Sequence, residues 1–78
     1  MIVYHVTTLK KLKKYIETGM IKAPVRAWDS EYYAAQFSKQ TGRQIILRLK
    51  FPDNTEKLTG HKNHAYVLNV PYTKLEKL

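Results

Sequence analysis

The 78-residue sequence has no cysteine, only three glycines, and six acidic residues against fourteen Lys and Arg. Without cysteine there is no disulfide framework and no thiolate metal site, so packing must supply the stability, and a reducing compartment is the natural setting. Only three glycines are available to build a phosphate loop or a dinucleotide fingerprint, and neither pattern occurs, nor does a nucleophile elbow or a zinc motif. No apolar run approaches the roughly 18 residues of a membrane span, and the first residues lack the basic, apolar, small-residue order of a signal peptide. The expectation is a soluble cytoplasmic protein with no membrane partner.

What is present is positive charge. A formal net charge of +8 and a pI near 9.8 are high for so short a chain and bring nucleic acid or a phosphorylated ligand forward as partner. Lysine supplies most of it, and lysine also serves simply to solvate a helix face. At 44% hydrophobic content the chain suffices for one domain over residues 1–78, near the lower size limit for a single core.

Ile2 to Thr7 are β-branched or aromatic at nearly every position and read as a strand buried on both faces. Thr8 then caps a helix over Leu9 to Thr18, where Leu9, Leu12, Tyr15 and Ile16 share an arc of about 120° at 100° per residue. Gly19 suits the left-handed C-cap. Ala23 to Trp28 is a short extended piece whose Pro24 suits a strand start or an edge. Asp29 or Ser30 caps a second helix, Glu31 to Thr41, with Tyr33, Ala34 and Phe37 on its core face and Tyr32 pointing elsewhere; Gly42 ends it. Gln44 to Phe51 alternates as the clearest strand. The segment PDNTEKLTGHKN reads as an exposed connection, Ala65 to Val70 as a last strand, and Thr73 as the cap of a short C-terminal helix.

The expected fold is α+β: a small mixed sheet of three to four strands in β-α-β-α-β-β order, with two packed helices and a short C-terminal helix. Helical crossovers would make some neighbours parallel.

Strand alternation sets Val3, His5 and Thr7 on one face, leaving a histidine and a hydroxyl together at the carboxyl end of a strand, where sheets with helical crossovers commonly bind ligands. A buried histidine satisfied by backbone is the plain alternative. Tyr32, on the polar side of its helix, is available to stack on a base or nicotinamide ring. Arg26 and Trp28 share a face by period two and could form a cationic and aromatic wall, against the alternative of a core tryptophan. His61 and His64 have no third ligand nearby, and no metal is expected. Among the carboxylates, Glu56 in the late, flexible segment is the candidate to present an acid or base. Lys10, Lys11, Lys13 and Lys14 make one helix basic, with Arg26, Arg43 and Arg48 adding charge elsewhere.

In its order of features the chain resembles the ADP-ribosyltransferase superfamily, particularly its small bacterial members and the RNA 2′-phosphotransferases. The resemblance rests on YHVTT at the end of the first strand, LKKLKKYIETGMI, AWDSEYYAAQFS and RQIILRLKF, and covers roughly residues 1 to 51. It implies NAD as cofactor, with His5 holding the adenosine ribose, Thr7 shaping that pocket, and Tyr32 or Tyr33 stacking on nicotinamide. The family's catalytic glutamate would follow on a late strand, but HAYVLNVP contains no acidic residue and Glu56 precedes it. The resemblance therefore implies a domain that binds NAD or a related nucleotide, with catalysis open. A basic RNA- or DNA-binding protein, such as a small toxin or phage or plasmid accessory protein, is the alternative. A non-catalytic interaction module pairing through an edge strand at Pro24 is the third.

Overall fold

A computed structural model of the chain describes residues 1–60 and 64–73. Among these the elements run β1 (Ile2–Thr7), α1 (Leu9–Thr18), β2 (Val25–Trp28), α2 (Glu31–Thr41), β3 (Ile45–Lys50), β4 (Lys57–Thr59) and β5 (Ala65–Leu68). The fold is α+β, and the strands form one five-stranded sheet in the order β3-β1-β2-β5-β4.

Every strand pair is antiparallel, which corrects the expectation of a mixed sheet of three to four strands. After α1 the chain does not pass straight into β2. Ile21 first exchanges backbone hydrogen bonds with Tyr72, at 2.8 and 2.9 Å, and β2 begins only at Val25. The added strand, β4, lies inside the segment expected to be a plain connection. All three of its residues are exposed and it pairs with β5 alone, so it needs no apolar alternation and leaves no periodic signature. Pro24 immediately precedes β2, which lies between β1 and β5, so the expected edge strand at Pro24 is an interior one. The proline stands outside the ladder, where its missing N–H breaks no sheet bond. The C-terminal helix expected after Thr73 lies outside the described residues.

Both helices carry the expected punctuation. Thr8 Oγ1 accepts from the Lys11 N–H at 3.2 Å and Ser30 Oγ from the Tyr33 N–H at 3.4 Å, so Ser30 rather than Asp29 is the second cap. Gly19 and Gly42 both take φ of 72°, the left-handed conformation that lets each N–H return to a carbonyl of the last turn.

The core lies on the sheet face carrying Val3, Val25, Ala27, Leu49 and Leu68, closed by Ile21 and Phe51. Tyr15 brings α1 onto this core. Leu9, expected on the same buried arc, is 56% exposed because it opens the helix ahead of that contact. Helix α2 covers the opposite face through buried Ala34 and through Phe37, whose ring meets that of Trp28 at 5.5 Å. No helix among the described residues is long and apolar enough to cross a membrane.

Candidate functional site: the cleft between β1 and β2

The pairing of β1 explains how a cleft can open inside so small a sheet. With β3 it pairs at six successive positions, from Ile2↔Lys50 to Thr7↔Ile45, but with β2 only at Tyr4↔Trp28. Beyond Tyr4 the two strands part, and the His5 imidazole occupies the seam. Its Nδ1–H donates to the Arg26 carbonyl at 2.6 Å, replacing a ladder bond with a side-chain one.

That contact fixes the tautomer. A carbonyl only accepts, so Nδ1 carries the proton, and Nε2 of the neutral ring accepts from the Tyr15 hydroxyl at 3.2 Å. The Thr7 hydroxyl donates in turn to the Tyr15 oxygen at 3.5 Å. A directed chain therefore runs from Thr7 through Tyr15 and His5 to Arg26, tying α1 to both strands of the seam. Burial holds the His5 pKa below its ordinary 6.5. The hydrogen bond to Arg26 opposes this, and the positive charges of Lys11 and Arg43 reinforce it.

Around His5 the parted strands leave a cleft of about 470 Å³. Aromatic rings line it from four elements: Tyr15 of α1, Trp28 of β2, Phe37 of α2 and Tyr66 of β5. Three cations, Lys11, Arg26 and Arg43, line it as well, and no carboxylate does. Such a lining attracts anions and offers planar ligands a π-face.

A second groove of about 490 Å³ runs along α1 and shares His5, Lys11, Tyr15 and Pro24 with the cleft. Lys10, Lys14 and Lys22 complete its positive wall. Of the residues the sequence marked as basic contacts, Lys10, Lys11 and Lys14 thus meet at this groove and Arg26 and Arg43 at the cleft. Lys13 and Arg48 are exposed and line neither. Lys22 was not among the marked residues, because it follows the helix instead of lying on it.

The residues marked for a nucleotide separate. His5 and Thr7 share the Tyr15 hydroxyl, and His5 lines the cleft while Thr7 is 1% exposed beside it. Tyr32 is 66% exposed, stands edge-on to Tyr33 at 5.2 Å and is absent from the cleft lining. Tyr33 stacks on the His64 imidazole at 4.0 Å, with the rings 15° from parallel, and does not line the cleft either. Glu56 lines a separate pocket of about 400 Å³ beside Phe51 and Tyr72, which shares no residue with the cleft.

Sequence reasoning assigned Tyr15 and Phe37 to the core alone, since helical periodicity marks a ring as inward-facing whether it meets a core or a cleft. The pairing of His64 with Asp29 was also missed: His64 Nδ1–H donates to Asp29 Oδ2 at 3.1 Å, across a sequence separation of 35. His61 lies outside the described residues. Among those described, no group of three or more His, Cys, Asp and Glu could hold a metal ion.

The chain matches no protein-family model, no curated protein and no solved structure.

Proposed function

We propose that the cleft between β1 and β2 binds a nucleotide, NAD or a related molecule, with a planar base against the Trp28 and Phe37 side and phosphate oxygens toward Lys11, Arg26 and Arg43. One observation carries this reading: the cleft combines three cations with four aromatic rings and has no carboxylate in its lining. Phosphate requires the first and a base exploits the second. The resemblance to ADP-ribosyltransferases supports it independently, since it sets the nucleotide pocket at His5, which lines this cleft.

The reading is of binding. In that family a glutamate stabilises the oxocarbenium-like ribosyl centre, and here Glu56 lies in another pocket while the cleft lining has no acid. Tyr32 and Tyr33 take no part, and the ring-stacking role falls to Trp28 and Phe37. Neutral His5 keeps both nitrogens engaged within the protein, so it shapes the cleft wall while Lys11 and Arg43 meet the anion.

Trp28 is the sole tryptophan of the chain, so its fluorescence reports the cleft directly. Titration with NAD, ADP and AMP should quench it saturably, and Arg43→Ala should weaken binding about tenfold, equivalent to about 1.4 kcal/mol. Fluorescence that stays flat to millimolar nucleotide rejects the reading.

A further inference from the structure

The groove along α1 adjoins the cleft, sharing His5, Lys11, Tyr15 and Pro24 with it, and its chemistry is not needed to hold a single nucleotide. Lys10, Lys14 and Lys22 line only the groove, Arg26 and Arg43 line only the cleft, and Lys11 lines both. Six cations therefore border the adjoining cleft and groove, which together make one charged track, and neither lining contains Asp or Glu. Among the described residues the ion pairs are the Met1 amino group with Asp53 and His64 with Asp29, so none of these six cations is matched by a carboxylate there. The aromatic rings Trp28 and Phe37 line the cleft but not the groove. Positive charge thus extends along a track, and ring stacking is available at one end.

We propose that this track binds a single strand of nucleic acid, one terminal or unstacked base entering the cleft and the adjoining phosphodiesters following Lys10, Lys14 and Lys22 along α1. The proposal rests on the nucleotide reading of the cleft. A single strand fits better than a duplex because the seam between two sheet strands admits only a base that has left its stack, whereas duplex bases are paired and stacked on one another. The repeated charge with ring contacts at one end fits a strand better than an acidic peptide, which has no base to place there.

Counterion release supplies the magnitude. With all six cations against phosphates, log K for a single strand falls with log salt at a slope of about −4, so raising salt from about 50 to 200 mM weakens binding about 250-fold. Replacing Lys10, Lys14 and Lys22 by Ala leaves three cations, a slope of about −2 and a loss of about 16-fold over the same range. All three side chains are exposed and none lines the cleft, so the variant keeps its fold and its cleft.

The experiment measures binding of the full chain to AMP, to oligo-dT and oligo-U of about eight residues, and to a duplex of equal length, by anisotropy and Trp28 fluorescence. The expected result is that a strand binds at least tenfold more tightly than AMP at low salt, quenches Trp28 and shows the steep slope. The triple Lys→Ala variant should bind AMP within twofold of wild type while losing the strand's advantage and half of its slope. The two oligonucleotides distinguish DNA from RNA as the source of the strand. If AMP binds but strands bind no more tightly, or the triple variant binds them like wild type, the strand proposal is overturned and the nucleotide reading stands. Duplex binding equal to that of the strand overturns insertion into the cleft. If neither AMP nor strands alter Trp28, the cleft reading fails, and the strand proposal falls with it.

Discussion

Tyr15→Phe isolates the hydroxyl that ties the seam together. The substitution keeps the ring, and hence its packing on the core and its tilted contact with His5 at 5.8 Å, and removes only the oxygen. Thr7 then loses its hydroxyl partner at a position that is 1% exposed. A buried polar group left without a partner costs about 1–3 kcal/mol, and the 3.5 Å length of this bond argues for the lower end. His5 Nε2 loses a 3.2 Å bond but borders the cleft, where water can replace the hydroxyl, so its share is about 0.5–1 kcal/mol. The sum, about 1.5–2 kcal/mol, lowers the melting temperature by about 6–16 °C in a domain of this size. Urea unfolding of wild type, Tyr15→Phe, Thr7→Val and the double variant checks both size and origin. Because the two single changes break one bond, the double variant should be about 0.5–1 kcal/mol less destabilised than the sum. A Tyr15→Phe loss under about 0.5 kcal/mol, or strict additivity, would refute the relay as described.

Other expectations follow from the same geometry. Because the folded pKa of His5 is depressed, the unfolded chain binds more protons between that value and 6.5, so the His5 contribution is complete above pH 6.5 and is lost as pH falls through this window. Replacing His5 with Gln should flatten that part of the stability-against-pH curve, as read by urea midpoints from pH 5 to 8. Gly19→Ala places a Cβ in open space but at φ 72°, so the loss should be the backbone term alone, about 1 kcal/mol in thermal unfolding, and smaller for Gly19→Asn. His64→Ala removes both the Tyr33 stack and the bond to Asp29, and should cost about 1–2 kcal/mol in denaturant unfolding while leaving AMP affinity within twofold.

Both helices could be read from the sequence almost residue by residue, because caps, apolar arcs and terminating glycines are local signals. Strands β1, β3 and β5 were visible as alternating or β-branched runs. The sheet's direction was not, since it is set by pairings between residues far apart in sequence, such as Tyr4 with Trp28 and Val25 with Leu68, which no local pattern encodes. Strand β4 was hidden for another reason: an exposed strand on a sheet edge has no face to bury, so Lys57, Leu58 and Thr59 carry no periodicity. The candidate site was legible in part. His5 and Thr7 stood out because polar groups on an apolar strand are conspicuous, and Arg26 with Trp28 followed from period two. Tyr15 and Phe37 did not stand out, because the cleft they line exists only where β1 and β2 part. Tyr32 shows the converse: its helical position left it free for a ligand, but freedom from the core placed it in solvent.

Whether the seam between β1 and β2 holds a nucleotide is decided by amide chemical shifts of the labelled chain during an AMP titration. Saturable shifts confined to the cleft are expected, at Lys11, Arg26, Trp28 and Arg43, with the Glu56 pocket unmoved. Shifts that stay flat to millimolar AMP, or that map to the Glu56 pocket, would contradict a nucleotide site at the seam.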